Sequence, residues 1–265
     1  MDQFMIDSDS SFLSRKSFDE VDQIIENRPF LIVPLGGCEP FGCGAALGAE
    51  SICCGELAHI LSRRLDISSA PLLPFGCSVP FMSFGGSCGM RPRTLINLML
   101  ELLHCYIFQG FRNVFVINTV PFNREPLEEV KTRISKKYKD VKIGVFDLNS
   151  DSRLRKFTGM DQAESVFDRN ERLFLSVLSH LAPELLEGRR GKNTGAASEK
   201  EYAKWRRRGR DPQKYRSLFP EGLVSTDMGN FDPQQGKVLF EFVLDTAQTD
   251  IQKLFDLDES KTSNA

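Results

Sequence analysis

The sequence predicts a single-domain, three-layer α/β/α fold on a mainly parallel sheet. Three observations carry this reading. The runs "FLIVPLG" (30–36) and "NVFVIN" (113–118) are near-continuously apolar, as strands covered on both faces require. Stretches of helical length and pattern alternate with them. Glycine-rich segments follow the first two strands, where a parallel sheet places its sites.

In chain order, a short helix is expected over Ser17–Glu26, then a strand over "FLIVPLG" and the loop "GGCEPFGCGAALGAE" (36–50). A helix over Ser51–Leu65 carries His59. "SSAPLLPFGCS" reads as a second strand leaving into a loop, and "FGGSCGMRP" as another glycine-rich loop. A strong helix from Arg93 ends at Gly110, a residue suited to terminating it. "NVFVIN" is the third strand, "EPLEEVKTRISKKY" the next helix and "VKIGVFDL" the fourth strand. A helix from about Gln162 to Leu186 precedes a basic excursion over 188–222, and a helix over Pro233–Phe255 closes the domain. The domain is placed at 17–258, with tails at 1–16 and 259–265. Loops 36–50, 75–90 and 118–125 are the expected site.

The chain has 265 residues, enough for a substantial core. A net charge of -2 gives no global attraction to nucleic acid or an anionic membrane. The longest apolar runs are too short and too interrupted to span a bilayer. The acidic start "MDQFMIDSDS" lacks the order of a secretory signal, so a cytoplasmic location is expected. All seven cysteines fall between Cys38 and Cys105, with no C-x-x-C pair, and read mainly as reduced, small buried residues. The stretch "KWRRRGRDPQKYR" offers Trp205 and Tyr215 as stacking groups for RNA, but a solvated loop or subunit contact explains it more simply.

Several segments in order resemble the creatininase-like metal-dependent amidohydrolases. "VPLGGCEPFGCGAALGAE" is similar to that family's first metal loop, "PLLPFGCSVPFMSFGGSCG" to its second, and "GFRNVFVINTVPFN" to its G-F-R-x-x-x-x-x-N-G-H-G-G-N segment. "TGMDQAESV" stands where the family has H-A-G-E-x-E-T-S, and "MGNFDPQQGKVLFE" resembles its late G-D-P segment. The resemblance implies two divalent metals, zinc or manganese, activating water against a C–N bond. It also implies a hexamer.

Carried over position by position, most of that equipment is missing. Glu39 keeps the first carboxylate, and Glu50 replaces the bridging aspartate. Four histidine positions become Phe41, Phe81, Val120 and Gly159, and Phe122 stands at a position acidic in some members. Glu164 matches the glutamate before T-S, and Asn118 and Asn123 persist as frame. His59, His104 and His180 all fall in expected helices, away from these loops. A phenylalanine ring donates no lone pair to a cation, so no metal is expected, with Glu39 and Glu50 the residual candidate ligands. The charge of Glu39, Glu50 and Glu164 is expensive to bury, so these acids are expected to be hydrated, protonated, sharing a proton or paired with a base, with Arg91, Arg93 and Arg124 as candidate partners.

Two main functions remain open, and a third stands beside them. One is a non-catalytic binding or scaffolding subunit, a homo- or hetero-oligomer, with Phe41, Phe81, Asn118, Val120, Phe122, Asn123 and Gly159 around a small-molecule or protein-binding pocket. The other is an amidohydrolase-type enzyme acting on a small amide through Glu39, Glu50 and Glu164, with a cysteine or a rebuilt zinc or manganese site. A third, redox-responsive role would use the clustered thiols.

Overall fold

A computed structural model describes residues 12–42, 45–158, 166–186, 201, 204–205, 211–222 and 232–257, with side chains of 166–171 left aside. Four strands, β1 (Phe30–Leu35), β2 (Ser68–Ser69), β3 (Asn113–Asn118) and β4 (Lys142–Asp147), form a parallel sheet in the order β2-β1-β3-β4. Between them lie α2 (Ala49–Leu65), α3 (Pro92–Gln109) and α4 (Arg124–Lys137). α1 (Phe18–Asn27) precedes the sheet, opened by a reciprocal capping box between Ser17 and Glu20. α5 (Ser152–Phe157), α6 (Val166–Leu181), α7 (Pro212–Leu218) and α8 (Pro233–Phe255) follow it.

Strand periodicity builds the layers. Along β1 and β3, Ile32, Phe115 and Ile117 point into one core with buried residues of α2, α6 and α8. Leu31, Val33, Leu35, Val114 and Val116 point into the other, with residues of α3 and α4. α6 and α8 approach closely at Gly236, where a Cβ would collide with the Ser176 carbonyl. The register sets Leu35 beside Asn118 and Asn118 beside Asp147, so three strands end level and deliver their loops to one edge.

Several elements differ from the sequence reading, which did not expect α5. β2 is only two residues long, and its continuation meets β1 through the Ala70 N–H on the Ile32 carbonyl and at a Leu35–Leu73 bridge. Pro71 and Pro74 lack the N–H a longer ladder needs. α6 ends at Leu181 rather than Leu186, because Pro183 breaks the helix and a separate 3-10 turn follows. α2 starts at Ala49, which brings Glu50 into its first turn.

Of the basic excursion over 188–222, residues 201, 204–205 and 211–222 are described and the rest lies outside the described residues. Asp211 caps α7 by accepting from the N–H groups of Gln213 and Lys214, and Pro212 opens the helix. Trp205, Tyr215 and Phe219 are buried with Phe81 in a third cluster rather than displayed for stacking on bases. Trp205 Nε1 donates to the Asp211 carbonyl at 2.8 Å, which fixes the indole inside the protein.

Candidate functional site

The loops after β1, β2 and β3 meet around two buried carboxyl groups. Glu39 is held by its main-chain N–H donating to the Leu47 carbonyl, and Ser78 Oγ donates to Glu39 Oε1 at 2.5 Å. Burial pushes the Glu39 carboxyl up to about 7, with the Ser78 hydrogen bond acting in the opposite direction. Glu50 is wholly buried in the first turn of α2, where the helix dipole favours negative charge. A Cβ on Gly37 would collide with Glu50 Oε2 and stand 2.7 Å from Val120 Cγ2, so the main chain, the carboxylate and the isopropyl group share one small space. Ser51 Oγ donates to the Gly37 carbonyl at 2.7 Å and holds that loop on α2.

A second set of contacts braces the loops against each other. Asn118 Oδ1 accepts from Asn123 Nδ2 at 3.0 Å and from the Val120 N–H at 3.3 Å. Its Nδ2 donates to the Val120 carbonyl and to Asp147. Asn123 Oδ1 in turn accepts from the Cys77 N–H at 2.7 Å, joining the β3 loop to the β2 loop. Both asparagines are completely buried, so they act as a frame. Asn123→Ala would leave the Cys77 donor without this acceptor and remove a bond to Asn118. A loss of about 2 kcal/mol is expected in chemical denaturation, with Asn123→Asp unable to replace the Nδ2 donor.

The positions where the resemblance places imidazoles are packed. Phe41 is 2% exposed and meets Phe174 of α6 edge-on, with ring centroids 6.0 Å apart, in the core below the sheet. Phe81 is equally buried and points elsewhere, edge-on to Tyr215 at 5.1 Å and to Phe122 at 6.3 Å. Val120 is fully buried against Gly37. Glu39, Glu50, Val120, Asn118 and Asn123 are thus brought to one region, whereas Phe41 and the Phe81–Phe122 pair belong to separate clusters. Gly159 and Glu164 lie outside the described residues. Of the alternatives weighed for Glu39, pairing with arginine is not what the fold gives: Arg91, Arg93 and Arg124 are exposed, and Glu39 takes a hydroxyl partner while burial raises its pKa.

Ser78 is the site residue that the sequence reading missed. Nothing in its spacing distinguishes it from other loop serines, and it is defined only once the β2 loop folds over Glu39. Asp147, at the end of β4, accepts from Asn118, Asn149 and Ser150, and burial raises its pKa against those bonds. Beside it opens a cavity of about 300 Å³ lined by Arg124, Glu128, Asp147, Ser150, Asp151 and Asp250 among others. Glu39, Glu50, Phe41, Phe81 and Val120 do not line that cavity.

The histidines stay on their helices, His59 stacked on Phe12 and His104 edge-on to Tyr138. Of the described cysteines, Cys53, Cys54 and Cys77 are buried, Cys38 is half-buried, and Cys88 and Cys105 are exposed. Burial holds the Cys53 thiol well above its ordinary range and pushes Cys54 up to about 12, so both behave as small core groups. Cys43 lies outside the described residues. Among the described residues, no group of three or more His, Cys, Asp or Glu side chains is placed to hold a metal ion.

The family described as Creatininase, creatinine amidohydrolase, matches residues 14–250. The chain belongs to the creatininase family. A crystal structure of creatinine amidohydrolase aligns with a TM-score of 0.76 at 15% identity, over 93% of this chain and 98% of that one. A creatininase structure with Mn aligns at 0.70 and 15% identity, over 92% and 98% of the two chains. A mutant creatininase of Zn-Zn type aligns at 0.70 and 15%, over 93% and 98%. At this identity the likeness establishes the creatininase fold, a parallel α/β domain. No curated protein sequence matches the chain. No helix among the described residues is long and apolar enough to cross a membrane.

Proposed function

We propose that this creatininase-family chain is a non-catalytic binding or scaffolding subunit whose dinuclear metal site has been dismantled. The observation that carries the reading is the burial of Phe41, Phe81 and Val120 where the resemblance places imidazole, the two rings edge-on to other rings and Val120 beside Gly37. Of the donors that a zinc or manganese pair requires, Glu39 and Glu50 are the two described residues at those positions. The histidines at 59, 104 and 180 sit on helices packed against other partners. This set does not fit two tightly held transition-metal ions. Two carboxylates without imidazole suit only a weakly held hard cation.

The frame of Asn118, Asn123 and Gly37 preserves loops shaped to meet a small-molecule ligand or a protein partner. The subunit works as a homo- or hetero-oligomer in the cytoplasm, a reading drawn from the resemblance and the composition. Its test is metal analysis of the purified full chain after incubation with Zn and Mn. Well under one equivalent of either metal is expected, with no metal-dependent hydrolysis of creatinine or other cyclic amides. Two equivalents that survive gel filtration would overturn the proposal.

One observation favours a second reading. Glu39 carries a carboxyl pushed up to about 7, bonded to Ser78, a protonation range that suits general acid–base work near neutral pH. On that reading the chain acts without metal on a C–N bond of a small cyclic or linear amide, through Glu39 and Glu50. A hydrolytic activity that persists in both Glu39→Gln and Glu50→Gln would eliminate it.

A further inference from the structure

The cavity of about 300 Å³ opens at the carboxyl end of β4, the end of a parallel sheet where ligands bind. Its volume stands at the lower limit of small-molecule sites, so it admits a ligand of few heavy atoms. β4 supplies Val145, Phe146 and Asp147, α4 supplies Arg124 and Glu128, and the segment opening α5 supplies Ser150 and Asp151. Arg124 and Glu128 are exposed, Asp147 is half-buried and Phe146 is buried, so the lining grades from a charged, wet side to an apolar one. Glu39, Glu50, Phe41, Phe81 and Val120 do not line this cavity, so its occupancy is independent of whether the creatininase metal site survives.

The charges of the lining divide into those already answered and those still open. Arg153 grips Asp250 with two N–H groups, at 2.7 and 2.6 Å, and reaches Asp151 at 2.5 Å, so those two acids have a partner. Arg124 and Glu128 stand four residues apart on α4, yet among the described residues neither makes an ion pair or a side-chain hydrogen bond. Asp147 Oδ1 accepts three N–H groups, from Asn118 and twice from Asn149, each at 3.2 Å. Its Oδ2 accepts only Ser150 Oγ, at 2.8 Å, which leaves that oxygen room for another donor. Burial raises the Asp147 pKa against those bonds, so a positive group beside it is welcome. The acids are not grouped to hold a metal ion. A guanidinium with all its donors free and two carboxylates able to take a donor therefore line one small space, a set that matches a ligand carrying both signs of charge. A ligand with positive charge alone would meet Arg124 as a like charge.

We propose that the β4 cavity is a binding site for a small free amino acid. Arg124 takes the ligand's carboxylate through paired N–H donors, and Asp147 Oδ2 and Glu128 accept from its ammonium group. Val145 and Phe146 offer apolar surface to the carbon skeleton, which the volume holds to a short side chain. Occupancy also reaches the loop frame, since Asp147 bonds Asn118, and Asn118 bonds both Val120 and Asn123. A donor on Asp147 Oδ2 thus ties the ligand to the β3 loop through one carboxylate and one amide.

The test titrates the full-length protein with glycine and with L-alanine, following binding by calorimetry and its location by the amide resonances of residues 145–152. Saturable binding of at least one of them is expected, with the largest shifts in that segment. N-acetylglycine lacks the ammonium and methylamine lacks the carboxylate, so each should bind about tenfold more weakly or worse. Arg124→Gln should weaken the amino acid by a similar factor, and Glu128→Gln by a smaller one because its carboxylate is exposed. Both variants change exposed residues in the first turns of α4, so their unfolding midpoints without ligand should match the parent and show that the fold is kept. No binding of either amino acid at tens of millimolar would overturn the proposal. Methylamine binding as tightly as glycine, shifts centred on the Gly37–Glu39 loop, or affinity unchanged in both variants would overturn it equally.

Discussion

Replacing Tyr215 with alanine is expected to lower stability by about 3–5 kcal/mol and to expose Trp205. Tyr215 is completely buried and holds four aromatic neighbours at once: Phe81 at 5.1 Å, Phe84 at 6.2 Å, and Trp205 and Phe219 at 4.9 Å. Truncation opens a cavity that the short α7 has little means to close, since its seven residues dock on the 3-10 turn Val79–Phe81 through this ring. The readout is direct because the chain has one tryptophan. Its emission should move to longer wavelength in native buffer, and its unfolding midpoint in urea should fall. Tyr215→Phe keeps the rings and loses only the hydroxyl that donates to the Gly222 carbonyl at 3.3 Å, so it should cost about 1 kcal/mol and leave the emission in place. Unchanged emission in Tyr215→Ala would mean that α7 is held by something other than the aromatic cluster.

That cluster also marks where the sequence reading stopped short. The strands β1, β3 and β4 were legible because both faces are buried, so apolar residues run almost unbroken through each. The helices between them were legible by period, with errors of a few residues at the ends. Asn118 and Asn123 stood in the sequence reading as frame, and the fold buries both and bonds them to each other. Within the excursion, the segment 211–219 was read as loop because arginines dominate the local composition. Yet Asp211-Pro212 is a helix-start signal, and Tyr215 with Phe219 is an i, i+4 aromatic pair on one face. Those four residues encode a short helix anchored by buried aromatic rings inside a basic stretch. What no local pattern encodes is direction: Phe41 and Phe81 are equivalent in the sequence argument, but one enters the core below the sheet and the other the cluster beneath α7. The partner of Glu39 was likewise settled by loop packing, which brought a serine hydroxyl rather than a guanidinium.

Glu39→Gln is expected to stabilise the protein by about 1–3 kcal/mol at pH 8 and to change little below pH 4.5. The carboxyl has an ordinary value of 4.5 and is pushed up to about 7 in the folded protein by burial. Between those values the folded state binds more protons than the unfolded one, so stability falls as pH rises through this window and levels off above it. The full displacement corresponds to about 3 kcal/mol, reduced wherever water or local relaxation screens the charge. Glutamine keeps an oxygen for the Ser78 donor while removing the charge that burial penalises. Denaturation of both proteins at several pH values from 4 to 8 should give curves that coincide at the acid end and separate progressively toward pH 8. A gap of constant size across the range would mean that Glu39 stays ionised in the folded state, held by a cation in the site, and such a cation would be the metal that the packing of Phe41, Phe81 and Val120 argues against.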